Sequence, residues 1–507
     1  MPKGLRVSTQ GLKAWHTQAL SNLHNYMAKL NTLVKDTAIY GLSSIIGRFL
    51  NYLLVPLYTH YMPKESGDYG VSTNMYAYTA LILAILTFGM ETTLFRFAND
   101  EKEPDTVFST AFATVGTLTA VFLALIFGFI TPIADYLGYG AHHEYLLMMA
   151  AVVAMDALQA LPFSYLRFLK RPIRFASLKL LFIFLNIGLN LLYFVVLGKT
   201  SVFYVFFINL LCTGFITLLF IPGIFKIHWH FDGHLLRRML SYSWPILILS
   251  IAGVLNQVAD KIIFPKVYPD EAQANVELGV YGGCVKIAMI MAMITQAFRY
   301  AYEPIVFAKA KDADSQEYYA SAMKYFLIFT LLAFLVVVGY MPILQYIIGA
   351  GYREGLGVVP IVMAAEIMMG VYFNLSFWYK LIDKTIYGAI FSLIGCAVLV
   401  AVNILFIPKF SYWACAWGGV AGYGTAMVLS YVVGQFKNPI DYPMKEIAIY
   451  VALATFIFIV ICYIPENSPL WIKLIVNTFL IAIFVSYIIY KDLPLKSLPI
   501  IGKYFKH

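Results

Sequence analysis

The chain has 507 residues, of which 61% are hydrophobic and 12% charged, and its formal net charge is +9. A soluble domain carries about 25% charged residues, so this composition excludes a water-soluble enzyme or binding module. The positive charges are scattered between apolar runs rather than gathered in a basic domain, so they report topology and attraction to anionic lipid and give no reason to invoke nucleic acid.

Residues 1–36 are polar and basic and lack the short apolar core of a cleavable signal peptide. Within them Leu12, Trp15, Ala19, Leu23, Tyr26, Leu30 and Leu33 form a helical stripe suited to lie on the inner leaflet, unless translation starts at Met27. Fourteen apolar stretches follow, predicted as spans at 37–60, 70–98, 106–134, 144–168, 175–198, 201–225, 241–267, 277–304, 318–342, 357–379, 385–407, 412–435, 444–464 and 470–490. About 20 apolar residues cross a bilayer as a helix. The runs are continuous rather than alternating, which selects helices over a barrel and an all-α polytopic membrane protein as the fold class.

The first span carries Arg48 near its centre and Asn51 one turn on. A central guanidinium is too far from either end to snorkel, and with an amide beside it suits phosphate or sugar oxygens; the bland reading is a buried ion pair with Glu91. In the second span Glu91 and Arg96 stand five apart, off one face, so Glu91 needs a cation from another helix and Arg96 either faces the cavity or reaches headgroups. Asp156 in the fourth span and Glu366 in the tenth are deep carboxylates, candidates for protonation or ion binding. Asp260 and Lys261 in the seventh span are adjacent and predicted to point about 100 degrees apart. In the eighth span Lys286 lies inside the outer leaflet, and Arg299 and Glu303 are spaced for an i,i+4 ion pair.

Lys179, Lys324 and Lys473 lie near span ends, where snorkelling is expected. The five cysteines fall inside spans without metal or redox spacing and read as small packing residues. His228, His230 and His234 with Asp232 form an exposed basic loop that lacks a fourth good metal ligand. No nucleotide-binding, hydrolase or zinc-protease motif occurs, and no loop is long enough to hold a folded catalytic domain, so no catalytic residue and no cofactor are assigned.

Counting Lys and Arg between the spans places 23 on one side and five on the other. The positive-inside rule then puts both termini in the cytoplasm. The chain also repeats itself. Pro56 and Pro265, and Gly70 and Gly279, are each separated by 209 positions, and Asn190 and Asn403 by 213. The unit is six spans, which gives parallel repeats facing each other across a central cavity. The predicted organisation is an N-lobe at 37–225, an inter-lobe loop at 226–240, a C-lobe at 241–435, two further spans within 436–490 and a basic tail at 491–507.

Residues 47–71, GRFLNYLLVPLYTHYMPKESGDYGV, with the LKRPIR turn at 169–174, resemble the polysaccharide flippases of the multidrug/oligosaccharidyl-lipid/polysaccharide exporter superfamily. The resemblance implies two six-helix lobes plus two extra helices, and export of an undecaprenyl-pyrophosphate-linked oligosaccharide to the outer leaflet of a bacterial inner membrane by alternating access, for a surface polysaccharide such as capsule or the O-antigen of lipopolysaccharide. It also implies membrane lipid, a polysaccharide polymerase and glycosyltransferases as partners, and a cavity lined by the first, second, seventh and eighth spans. There Arg48, Asn51, Arg96, Lys261, Lys286 and Arg299 would bind substrate, and Glu91, Asp260, Glu303 and Glu366 would serve as charge partners or couple to a proton or sodium gradient. On that placement cations outnumber carboxylates, which suits an anionic substrate over the cationic drugs of an ion-coupled extruder. The lipid II flippase branch carries an Arg-Asp pair in its first helix, whereas Phe49 and Leu50 follow Arg48 here. A membrane-embedded glycosyl polymerase or ligase would need a large outer loop, which is absent from this sequence.

Overall fold

The computed structural model describes residues 54–309, 315–382, 384–465 and 467–492, and among them the chain is helical throughout with no strand. In chain order the main helices are α1 (Leu54–Tyr61), α2 (Asp68–Asp100), α3 (Pro104–Gly128), α4 (His143–Phe168), α5 (Pro172–Val196), α6 (Val202–Ile224), α7 (Gly233–Val267), α8 (Glu271–Lys309), α9 (Ser315–Gly339), α10 (Val359–Leu375), α11 (Ile386–Phe410), α12 (Tyr412–Lys437), α13 (Met444–Cys462) and α14 (Leu470–Asp492). Arg48, Asn51, the stripe at 10–34, the tail beyond 492 and the side chain of Glu303 lie outside the described residues.

Among the described residues twelve helical stretches are long and apolar enough to span a membrane, against fourteen predicted spans, the first of which, 37–60, is described only from residue 54. The described part of α1 has eight residues. Helix α12 has 26 residues but is rich in glycine, which lowers its hydropathy and serves packing instead. Its Gly422 lies against the Gly395 carbonyl of α11, and α11 and α12 make the most extensive helix pair in the molecule. Small residues drive association in lipid because backbones can then approach closely.

Boundaries follow local chemistry. Pro104 and Pro172 open α3 and α5, where a missing N–H costs nothing. The Asp232 carboxylate accepts the His234 and Leu235 N–H groups at 2.8 and 3.2 Å, capping α7. Helix α2 breaks at Phe88 and Gly89, both left-handed at φ 49° and 66°. A side chain at residue 89 would meet Ile246 and the Ser243 carbonyl of α7 within about 3.1 Å, so glycine serves both the turn and the approach.

In the N-lobe α4 packs on α2, α3 and α6, and α5 on α6; in the C-lobe α12 packs on α10 and α11, and α7 on α11. The lobes meet chiefly where α2 lies against α7 and α8. One end of the bundle, here the basic end, carries Arg96, Arg167, Arg237 and Arg238; the far end carries the starts of α2 and α8.

The far end is sealed by residues that the internal repeat relates. A Cβ on Gly70 would stand 1.7 Å from the Asn275 carbonyl oxygen, and one on Gly279 would stand 3.0 Å from the Gly70 nitrogen. Thr73 abuts Gly282, again 209 positions on. Pseudo-equivalent residues in contact mark the two-fold axis of the parallel repeats. Around them the Gly349 N–H donates to Thr59 Oγ1 at 3.1 Å, the Tyr352 hydroxyl donates to the Met62 carbonyl at 3.2 Å, and Lys64 pairs with Glu354 at 2.6 Å.

Helices α13 and α14 dock on α9. Lys324 does not snorkel as its place near a span end suggested: its largely buried ammonium is shared between Glu446 of α13 and Asp492 of α14, and Tyr450 donates to the same Asp492. Two carboxylates so close to lipid are tolerable only around a cation.

The seal yields a direct test. Gly70→Val should lower the melting temperature in detergent by an amount corresponding to about 1–3 kcal/mol, the usual cost of overpacking, because the clash is with backbone and has no flexible partner to yield. An unshifted melting curve would mean that α2 and α8 do not meet there.

Candidate functional site

An apolar bundle can hold ionisable groups only against partners or water, and here they converge on one cavity between the lobes, about 650 Å³ in volume. It extends from Tyr69 and Thr73 at the seal to Arg299 and Phe373 deeper in α8 and α10. A pocket of this size is in the range that holds a small organic ligand, roughly 300–1,000 Å³.

Six ionisable residues line it: Asp156 on α4, Asp260 and Lys261 on α7, Lys286 and Arg299 on α8, and Glu366 on α10. Among the described residues three carboxylates therefore face three cations; Arg48, a further cation assigned to the cavity from sequence, lies outside them. Glu91 and Arg96, also assigned to the cavity from sequence, do not line it.

Both residues lie beyond the break in α2 and away from the cavity. Glu91 is 3.7 Å from Arg167, a cation from another helix as expected, and its carbonyl accepts the Ser164 hydroxyl at 3.0 Å. The Arg96 guanidinium stacks on the Tyr242 ring at 4.2 Å and lines a separate cleft at the basic end. The left-handed turn at 88–89 redirects the helix, so residues beyond it do not continue the face that Ser72, Thr73 and Tyr76 present to the cavity.

Asp260 and Lys261 also differ from expectation. Although adjacent in sequence, they pair: Lys261 Nζ lies 3.0 Å from both Asp260 oxygens and donates to the Gln257 carbonyl at 3.1 Å. The four-carbon stem of lysine curls back across the 100-degree step, which a shorter side chain could not do. Asp260 further accepts the Tyr281 hydroxyl at 2.7 Å, so its charge is met by three donor groups including its neighbour's N–H at 2.9 Å. Tyr281 is fully polarised into this cluster, and only its polar position in an apolar span hinted at it.

Lys286 and Arg299 are 13 positions apart on α8. Arg299 lies over the Phe373 ring at 4.3 Å. Among the described residues no carboxylate forms an ion pair with Lys286, and no cation forms one with Asp156 or Glu366. Amides and hydroxyls complete the wall. Asn209 donates to the Tyr76 hydroxyl at 3.1 Å, and Asn256 donates to Ser392 Oγ at 3.0 Å while its carbonyl accepts the Tyr423 hydroxyl at 2.7 Å. Tyr58 donates to Asn190 at 3.0 Å, and Tyr139 to Asn74, which in turn donates to the Lys261 carbonyl at 2.7 Å. The signal for these was present in the sequence: an amide inside an apolar span needs a partner, and Asn74, Asn186, Asn190, Asn209 and Asn256 are such amides. Chemically, the cavity offers ammonium and guanidinium groups, carboxylates and neutral donors with aromatic walls, which suits a ligand that carries both charge and hydroxyls.

A sequence profile for a family described as polysaccharide biosynthesis protein matches residues 33–301. Comparison with curated protein sequences finds no match. Among solved structures, the lipid II flippase MurJ in an inward closed conformation is similar, at 15% identity and a TM-score of 0.71, over 89% of this chain and 98% of that one. An inward-facing multidrug resistance transporter of the MATE family, within the MOP superfamily, matches at 15% identity and a TM-score of 0.62 over 79% of this chain and 97% of its own. A MOP superfamily transporter from Pyrococcus furiosus, whose binding pocket is described as reversed in polarity, matches at 13% identity and a TM-score of 0.53 over 79% and 95%. These likenesses establish the fold: a polytopic bundle of the MOP type.

The Asp260–Lys261 pair can be dissected by stability. Asp260→Asn leaves a largely buried ammonium without its counter-charge and should cost on the order of 3 kcal/mol, whereas Asp260→Asn combined with Lys261→Met should recover part of the loss. Thermal melts of the two variants decide it; a double variant no more stable than the single would show that the charges are not coupled.

Proposed function

We propose that this chain, which belongs to the polysaccharide biosynthesis protein family, carries an oligosaccharide linked to undecaprenyl pyrophosphate from the cytoplasmic to the outer leaflet of a bacterial inner membrane. The basic end then faces the cytoplasm, in line with the distribution of Lys and Arg, and both termini lie there. Movement is by alternating access, with the lobes rocking about the α2 contacts. A polysaccharide polymerase and glycosyltransferases would act after and before it.

The observation that carries this reading is the polar cavity between the lobes, closed at the far end and holding Lys261, Lys286 and Arg299 together with hydroxyl and amide groups. Lys286, which has no carboxylate partner among the described residues, and Arg299 supply positive charge for a pyrophosphate, with Arg299 able to meet it by two N–H groups. The aromatic and amide side chains suit sugar faces and hydroxyls. Arg48 and Asn51 belong to the same site on sequence grounds, since Leu54, Val55 and Tyr58 further along their span line the cavity.

The three carboxylates support ion coupling. Asp156 and Glu366 stand at opposite lobes of one cavity, and a proton or sodium ion on either would change its charge balance. Of the coupling candidates named from sequence, Asp260 and Glu366 keep that role here, Asp156 joins them, and Glu91 is set aside because it is occupied by Arg167 at the basic end.

Removing the gene from its host should cause undecaprenyl-linked glycan to accumulate on the cytoplasmic leaflet, with loss of surface polysaccharide, and the intact gene should reverse both. Arg48→Ala, Lys286→Ala and Arg299→Ala should fail to restore export while inserting in the membrane at normal levels; full complementation by any of them removes that residue from the role. No accumulation, with altered sensitivity to cationic drugs, would favour an ion-coupled extruder. Export that continues unchanged after proton and sodium gradients are both collapsed would dispose of the coupling.

A further inference from the structure

The second cleft, at the basic end, is not part of the cavity. About 510 Å³ in volume, it lies between the last turns of α2 and the first turns of α7 and is lined by Arg96, Phe97, His234, Arg237, Arg238 and Tyr242. Its walls come from both lobes. Three arginines and a histidine share it, and one carboxylate answers them: Glu101, which pairs with Arg238 across the lobes at 2.8 Å. Asp100, four residues after Arg96, forms no ion pair with it, and Asp232, five residues before Arg237, is engaged by the amides that open α7. Among the described residues Arg96 and Arg237 have no carboxylate partner.

Their geometry is that of a prepared anion site rather than of freely snorkelling cations. Arg96 lies over Tyr242 at 4.2 Å and Arg238 over Phe97 at 5.4 Å, so aromatic rings set the position of both guanidinium groups. Planar guanidinium groups match phosphate oxygens in pairs; Arg96, placed on its ring, has no carboxylate partner among the described residues, and Arg237 beside it has none either.

We propose that this cleft binds a phosphate-bearing headgroup through Arg96 and Arg237, at a site separate from the central cavity. The same chemistry is offered by two sources, the pyrophosphate of a lipid-linked substrate and the phosphate of an anionic membrane lipid; assigning the first rests on the function proposed above. A bound phosphate also competes with Glu101 for Arg238. Occupancy therefore weakens the ion pair between Glu101 and Arg238 that joins the lobes at this end and links headgroup binding to their separation.

The test uses the full chain in phosphatidylcholine nanodiscs and native mass spectrometry, with geranylgeranyl diphosphate and phosphatidylglycerol as probes. Wild type should retain two molecules of the diphosphate. Arg96→Gln with Arg237→Gln should lose one of them, its affinity falling about tenfold per arginine removed, while Lys286→Gln with Arg299→Gln should lose the other. Arg96→Lys with Arg237→Lys keeps the charge and loses the fork, and serves if the glutamine variant does not fold; it too should weaken the cleft ligand. Displacement of that ligand by phosphatidylglycerol at comparable concentration would support the site with a membrane lipid as its occupant. Phosphatidylglycerol held through Arg96 and Arg237, with no diphosphate bound anywhere, would support the site and count against the transported substrate. Retention of both probes by the arginine variants at wild-type affinity would overturn the proposal.

Discussion

Helix α2 can lie against α8 at the far end only because residues 70 and 279 have no side chain. A single Cβ at residue 70 would fall within covalent distance of a backbone oxygen, so the whole approach of the lobes at the far end depends on that glycine. The consequences spread along α2. Its first half seals the cavity and presents Ser72, Thr73 and Tyr76 to it; the left-handed break at 88–89 then turns its second half toward α7, where Arg96 and Glu101 meet the C-lobe. One helix thus takes part in the contacts between the lobes at both ends and in a wall of the space between.

Within that space the charges of the described residues are balanced rather than one-sided. Six ionisable groups in a low-dielectric bundle would be prohibitive if all had one sign, whereas three and three reduce the field each must bear. The balance is local as well: Asp260 is met by Lys261 and Tyr281, Arg299 lies over Phe373, and Lys286, Asp156 and Glu366 make no ion pair among the described residues. A site so arranged favours a ligand that itself separates charge from hydroxyl-rich surface, and it changes character when one carboxylate takes up a cation.

Much of the fold was legible because its rules are coarse. Continuous apolar runs impose helices in lipid, and the 209-residue offset between Gly70 and Gly279 turned out to join two residues in physical contact. The need of Glu91 for a cation from another helix was equally readable, since a carboxylate in an apolar segment must be answered. What escaped was set by tertiary detail. Arg96 left the cavity through a backbone break that Phe88, an unusual residue for a left-handed turn, did not announce. Lys261 reached its neighbour by rotamer, which spacing cannot express, and Lys324 was buried by helices α13 and α14 arriving more than 100 residues later. The shortfall from fourteen spans arises partly at α12, where glycines chosen for close packing dilute the apolar signal.

Magnitudes indicate which contacts can govern motion between the lobes. The ion pairs that bridge them, Lys64 with Glu354 at the far end and Glu101 with Arg238 at the basic end, are partly exposed, and such pairs contribute about 0–1 kcal/mol each. They bias an equilibrium but cannot hold it. Shifting a two-state balance from 1:99 to 99:1 takes about 5.5 kcal/mol of differential binding. On the proposed function, a pyrophosphate in the cavity that engages two or three cations, each charge-assisted bond contributing roughly 1.5–3 kcal/mol, supplies a quantity of that order. The weak bridges at the ends then leave the decision to the ligand in the middle, which is the arrangement a carrier needs if it is to reorient loaded rather than open both ends at once.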